Sequence, residues 1–285
     1  MIRSMITAAA VSLSAALPVL AEPLKFAVTD IEGLEALQQE FGAFEAKLEE
    51  LSGHEIDLFP VSSRTAAVEA LNQDKVDLVL TGPAEYVVIN ELTDAKIVTA
   101  WQRPNYYAQI VTLSDGPIKS VQDLEGKVVT FGSVGSTSQH LGPAQVLSDF
   151  GLAYNADYQP QIISRNLAVE ALIRGDVHAV GMNEGHLRRI REAFPDTSFT
   201  VVARGRDLPN DILVARSDLE EDTIASVKSA FVDHSVELMQ AILTGEDNQK
   251  YRGGFFLTKV EDSEYDYVRS MYETIGVDTS AFVGN

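Results

Sequence analysis

The chain contains no cysteine. That excludes disulfides, thiolate metal ligands, thiol nucleophiles and lipid anchoring through a lipobox cysteine. It is also poor in positive charge: 22 Lys and Arg face 42 Asp and Glu, a net charge of −20 over 285 residues. Such an excess argues against nucleic acid and anionic membrane surfaces as partners. The same field repels a small anion, so any anion site must be local, built from particular arginines and aimed N–H groups. Histidines are few and scattered (His54, His140, His178, His186, His234), with no HExxH or paired metal spacing. No low-complexity linker divides the chain, and beyond residue 21 no apolar run is long enough to span a bilayer.

What is present begins with a repeat. Ser63-Arg64-Thr65-Ala66-Ala67-Val68-Glu69-Ala70-Leu71 returns as Ser164-Arg165-Asn166-Leu167-Ala168-Val169-Glu170-Ala171-Leu172. Each copy follows a short apolar run, and each leads to a similar ending, Asp74 to Val79 and Gly175 to Val180. The pattern reads as strand, tight turn, helix, strand, used twice, with a serine and an arginine at each turn. Helix N-termini carry unpaired N–H groups and partial positive charge, so two such ends suggest two lobes facing each other across an anion.

Met1 to Ala21 reads as a secretory signal: Arg3 gives the positive start, Met5 to Leu20 is apolar and small, and Val19-Leu20-Ala21 precedes a cut near Glu22. The stretch is short and Ala-rich for an uncleaved anchor. From Leu24 onward strands and helices alternate, which implies α/β architecture with largely parallel sheets. Leu34, Leu37, Phe41, Phe44, Leu48 and Leu51 mark a helix ended by Ser52-Gly53. A helix is expected over Ser136 to Phe150, and mostly helix over Asp218 to Leu243 and Ser263 to Ile275. Tyr107 to Leu113 and Leu208 to Ala215 are the natural crossovers between lobes. The expected division is lobe 1 over 22–110 with 217–285, and lobe 2 over 111–216.

A second segment carries chemistry: Phe131-Gly132-Ser133-Val134-Gly135-Ser136-Thr137-Ser138-Gln139-His140-Leu141-Gly142-Pro143. A strand ends, two glycines allow close backbone approach, and three hydroxyl residues open a helix. That is a seat for a tetrahedral oxyanion, or simply a capped helix after a flexible loop. The segment is not a Walker loop, a GxGxxG fingerprint or a GxSxG nucleophile elbow. A serine hydrolase using Ser136 or Ser138 is an alternative, but its base would have to be His140, close in sequence on the same helix.

These residues resemble the signature of phosphonate- and phosphite-binding proteins of ABC importers, the PhnD-like group. Lys75-Val76-Asp77 with Thr81-Gly82-Pro83-Ala84-Glu85-Tyr86, Pro104-Asn105-Tyr106-Tyr107, Val121 to Lys127, and Leu208-Pro209-Asn210-Asp211 are similar to that family in order, over most of residues 24 to 219. The resemblance implies a two-lobed, type II periplasmic-binding-protein-like fold, each lobe a mostly parallel sheet flanked by helices, with the ligand cleft between lobes. It implies ligand contacts at Ser136, Thr137, Ser138, Tyr106, Glu184 and Asp211, with Asp211 accepting from a protonated ligand oxygen and Glu184 meeting an amine or merely favouring its helix dipole. Tyr86 is read as core. The chain departs from the family at Ser63-Arg64 and at Arg165, where two arginines suggest a ligand with more negative charge or a second anionic group. No cofactor or metal is implied. The expected protein is a monomeric periplasmic solute-binding component, delivering a small oxyanion to an ABC permease or presenting it to a sensor kinase.

Overall fold

The computed structural model describes residues 22–279; the expected signal segment, residues 1–21, lies outside them. The strands form two sheets. One runs in the order β2 (Ile56–Leu58), β1 (Leu24–Val28), β3 (Leu78–Thr81), β10 (Asp211–Ala215), β4 (Lys96–Trp101) and β11 (Phe256–Leu257). The other runs β7 (Gln159–Ile162), β6 (Val128–Phe131), β8 (Ala179–Asn183), β5 (Tyr107–Leu113) and β9 (Phe199–Asp207). The helices are α1 (Leu34–Ser52), α2 (Arg64–Asn72), α3 (Pro83–Leu92), α4 (Gly142–Asp149), α5 (Arg165–Arg174), α6 (Glu184–Ala193), α7 (Glu221–Asp233), α8 (Ser235–Ile242) and α9 (Asp266–Thr274). Among the described residues no helix is long and apolar enough to cross a membrane.

The sequence repeat is a repeat of topology. β2-α2-β3 straddles β1, and β7-α5-β8 straddles β6. In each sheet the next strand after this parallel trio is antiparallel and arrives from the other half: β10 beside β3, and β5 beside β8. The sheets are therefore mixed, parallel only within the βαβ trios and antiparallel where the crossovers enter. This also corrects the expected boundaries. The Tyr107–Leu113 run pairs wholly within the second sheet and Asp211–Ala215 wholly within the first, so the chain changes halves at 102–106 and 208–210. Apolar runs alone could not assign these strands, because their partners are distant in sequence.

Each sheet is covered on both faces. On one side of the first sheet, α1, α7 and α8 bury an aromatic cluster of Phe26, Phe41, Phe44, Trp101 and Phe231. Phe44 meets Trp101 edge-on, ring centroids 5.2 Å apart. On the other side α2, α3 and α9 bury Val68, Leu71, Tyr86, Ile212 and Tyr265. α4 covers one face of the second sheet with Leu147 against Phe131, and α5 and α6 cover the other with Val169, Leu172 and Leu187. α4 lies so close to β8 that a Cβ on Gly181 would stand 2.5 Å from Pro143 Cβ, so only glycine fits there.

The helix expected over Ser136 to Phe150 opens instead with a π turn, Thr137–Leu141, before α4 begins. Leu141 N–H donates to the Ser136 carbonyl at 3.0 Å and Gly142 N–H to that of Thr137. π turns widen the helix and cluster at functional sites. His140 pins the loop before it. The Gly135 N–H, at φ 74°, donates to His140 Nδ1 at 3.1 Å, so the ring's proton sits on Nε2, 3.1 Å from the Tyr154 hydroxyl. Burial pushes His140 down to about 4.

Two outcomes are expected. Phe44→Ala opens a cavity in the aromatic cluster and lowers unfolding free energy by about 3–5 kcal/mol in a denaturant titration. Between about pH 6.5 and about pH 4 the unfolded chain takes up a proton that native His140 refuses, so stability falls as pH drops through that window, by up to about 3 kcal/mol. His140→Gln flattens this acid limb in melts recorded against pH; an unchanged limb would assign it to other groups.

Candidate ligand-binding site

Parallel β strands end where helices begin, and in open α/β sheets ligands bind beyond those carboxyl ends. Here the ends of both trios converge on one cleft of about 490 Å³. Asp30 follows β1, Arg64 follows β2, and Gly82 and Glu85 follow β3; from the other half, Ser136, Thr137, Ser138 and Gln139 follow β6, and Asn183 and Glu184 follow β8. The first crossover adds Arg103 to Tyr106, and the turn at Asp247–Tyr251 adds Asp247, Gln249 and Lys250.

The three hydroxyl residues line this cleft while being almost fully buried, 4 %, 3 % and 4 % exposed. Thr137 Oγ1 accepts from the Ala84 N–H of α3 at 3.0 Å, a bond from one half of the molecule to the other. Ser138 Oγ accepts from Asn183 Nδ2 at 2.9 Å and hydrogen-bonds the Tyr106 hydroxyl. Ser136 lines the cleft, and no side-chain hydrogen bond ties its hydroxyl to another described residue. As the opening residues of a helix, this stretch brings N–H groups that have no intrahelical acceptor. His140 cannot serve Ser136 or Ser138 as a base, because both its nitrogens are committed to Gly135 and Tyr154.

The crossovers are laced together at the cleft floor. Leu208 N–H donates to the Tyr106 carbonyl at 2.8 Å, and Arg103 N–H to Asn210 Oδ1 at 3.2 Å. Arg103 Nη1 donates to Asp211 Oδ1 at 3.2 Å, and the Tyr251 hydroxyl donates to Asp211 Oδ2 at 2.6 Å. The Arg103 guanidinium also lies 3.7 Å from the centre of the Tyr106 ring. Burial opposes the charge on Arg103, yet Asp211 together with Tyr106, Tyr251 and Asp30 outweighs it and holds the guanidinium above its ordinary range. Burial pushes Tyr106 up to about 12, against the pull of Arg103.

Arg64 reaches the cleft, but its charge is compensated. Asp30 stands 2.7 Å away and Glu85 2.5 Å away. Burial disfavours its charge and the two carboxylates more than restore it, so Arg64 stays protonated. Burial likewise raises Glu85, with Arg64 pulling the other way. Arg165 opens α5 at the topological counterpart of Arg64, but its side chain lies outside the described residues.

Of the residues expected to meet a ligand, Ser136, Thr137, Ser138, Tyr106, Glu184 and Arg64 share the cleft. Asp211 does not line it; the carboxylate sits beneath the wall, 3 % exposed and engaged by Arg103 and Tyr251. Tyr86 packs in the core as expected, its hydroxyl donating to Asp262. Among the lining residues that went unread in the sequence are Asp30, Glu85, Arg103, Arg188, Arg189 and Lys250. Arg103 stood in a segment legible only as a turn, and Glu85 inside the Gly82-Pro83 helix start.

A family model described as ABC transporter, phosphonate, periplasmic substrate-binding protein matches residues 26–259. Among solved structures, the chain is similar to a phosphonate-transporter binding protein of Pseudomonas aeruginosa (TM-score 0.66, 16% identity, 88% of this chain and 86% of that one). It is similar to PhnD1 of Prochlorococcus marinus, solved with methylphosphonate (TM-score 0.70, 19% identity, 89% and 98%). It also resembles the aliphatic sulphonate-binding protein SsuA of Escherichia coli (TM-score 0.64, 18% identity, 90% and 89%). At these identities the likeness speaks to the fold, and it is the expected two-lobed, type II one. The family match spans most of the length, and the chain belongs to the phosphonate family of periplasmic substrate-binding proteins of ABC transporters.

Proposed function

We propose that this protein captures one small tetrahedral oxyanion, a phosphonate, phosphite or close relative, in the cleft between its halves and delivers it to an ABC permease in the inner membrane. The observation that carries this reading is the Ser136-Thr137-Ser138 turn at the junction of the halves, with all three residues lining the cleft and Thr137 bonded across to Ala84. Hydroxyls and helix N–H groups of this turn hold the oxyanion, and Tyr106 and Arg103 approach it from the crossover. Glu184, at the first turn of α6, meets a cationic substituent where the ligand has one. Contacts from both halves favour the closed state over the open one, and only that differential binding moves the population. The protein works in the periplasm after loss of residues 1–21.

Arg64 enters this reading in a different role from the one its sequence suggested. With Asp30 and Glu85 beside it, it acts less as a free positive charge than as the group that keeps two carboxylates from repelling the ligand.

A thermal-shift panel of methylphosphonate, phosphite, phosphate and methanesulfonate tests the reading. A ligand at about 100 times its Kd adds about 2.7 kcal/mol to native stability, which raises Tm by several degrees in a chain of this size. No shift with any of the four removes the proposal. Ser136→Ala is expected to weaken the best ligand about tenfold, the loss of one hydrogen bond to a charged group. Arg64→Ala weakens it by more, and adding Glu85→Gln to Arg64→Ala recovers part of that loss. If the double variant binds no better than Arg64→Ala, the shielding role of Arg64 is wrong.

A further inference from the structure

Ligand selection by a carboxylate needs a lone pair that faces the ligand. Such a group accepts from a protonated ligand oxygen and repels an ionised one. Asp211 is the carboxylate expected in that role, and its oxygens are directed elsewhere. Oδ1 holds Arg103 Nη1 at 3.2 Å, and Oδ2 holds the Tyr251 hydroxyl at 2.6 Å. Lys250 Nζ stands 4.0 Å from Oδ2. The side chain is nearly inaccessible and absent from the cleft wall, whereas Arg103 is on it.

Arginine has five N–H donors in a planar fork. Arg103 directs Nη1 at Asp211, has its guanidinium stacked on Tyr106, and is itself a residue of the cleft lining. Tyr106 in turn is bonded to Ser138. A continuous chain thus runs from Tyr251 and Asp211 in one half, through Arg103 and Tyr106 in the crossover, to the hydroxyl turn of the other half.

We propose that Arg103, positioned by Asp211, is the cationic contact of the bound oxyanion, and that the cleft therefore prefers a fully ionised alkylphosphonate dianion to its monoprotonated form. The inference rests on the oxyanion-binding reading and names the charge state that reading leaves open. The donors gathered at the turn (Arg103, Ser136, the helix N–H groups) satisfy ionised oxygens. Around Arg103 the other titratable groups are Tyr106, Tyr251, Asp30 and Lys250. Around the rest of the cleft they are Glu85 with Arg64, and Glu246 and Asp247, from the first half, and Glu184, Arg188 and Arg189 from the second. Glu85 is the group that works against the expected trend. Burial raises it, and as it loses its proton with rising pH it becomes less welcoming to an anion.

The test is calorimetric titration of methylphosphonate across its second ionisation, on the full mature chain and on Glu85→Gln. Below that ionisation the dianion fraction grows tenfold per pH unit. Affinity is expected to rise with pH in both proteins, approaching about tenfold per unit in Glu85→Gln and more shallowly in wild type. Affinity that is flat or falls with pH in either protein overturns the inference while leaving oxyanion binding intact. If wild type binds neither methylphosphonate nor any other anion of the thermal panel, the underlying reading fails and this one with it. The positioning role has its own readout. Asp211→Asn is expected to weaken methylphosphonate about tenfold in wild type and to cost nothing further in Arg103→Ala, with Arg103→Lys restoring part of the loss. Equal losses from Asp211→Asn in both backgrounds would put that carboxylate on the ligand itself and overturn the assignment.

Discussion

The buried carboxylate of Asp211 ties the two crossover segments together. A carboxylate this inaccessible is tolerated only when its charge is met, because an isolated one in the interior costs several kcal/mol. Arg103 and Tyr251 meet it. The consequence is geometric as well as energetic. Asp211 begins β10, where the chain returns to the first half; Arg103 lies in the segment by which it leaves; Tyr251 comes from the turn that follows α8. One charge balance therefore fixes the two crossovers against each other and sets an arginine on the cleft wall. The Leu208 to Tyr106 and Arg103 to Asn210 bonds reinforce the same junction.

The rest of the site follows from duplicated topology. Because β2-α2-β3 and β7-α5-β8 each wrap one central strand, each half aims its parallel strand ends, and hence its helix starts, at the same gap. The duplication extends to the exchange of strands, with each half lending the other the antiparallel strand beside its trio. A chain of net charge −20 needs such an arrangement to hold an anion. Helix N-termini and hydroxyls supply favourable dipoles without requiring a net positive surface, and low local dielectric strengthens them where water is excluded.

The parts of this arrangement that could be read from sequence are those written in local pattern. The Ser-Arg repeat announced two equivalent helix starts, and α2 and α5 begin at Arg64 and Arg165. The glycines and hydroxyls of 132–138 announced a helix start with close backbone approach. What stayed hidden depends on pairs distant in sequence. The antiparallel insertion of β5 and β10 is decided by ladders between residues far apart, so the boundaries expected at 110 and 216 moved to the crossovers. The role of Arg103 depends on Asp211 and Tyr251, neither of them near it in the chain. The apparent freedom of Arg64 vanished once Asp30 and Glu85, from the ends of two other strands, closed around it. The π turn likewise escaped notice, since a widened turn has no residue signature separate from that of an ordinary helix.

Charge in the cleft is best understood as paired rather than accumulated. Arg64 with Asp30 and Glu85, and Arg103 with Asp211, leave no excess positive charge on the first half's side of the site. On that side, attraction for an anion comes from orientation, with compensating carboxylates beside the arginines, while Arg188 and Arg189 line the cleft from the second half. This has a kinetic corollary. Long-range steering contributes little for a chain whose overall field repels the ligand, so affinity must reside in slow release from a closed, desolvated site. In the proposed delivery to a permease, slow release keeps the ligand bound until handover. It also explains why the junction is built of buried, mutually satisfied groups. A preorganised donor array keeps its advantage only if the arginine holding it cannot relax toward solvent when the ligand leaves, and the clasp of Asp211 prevents that relaxation.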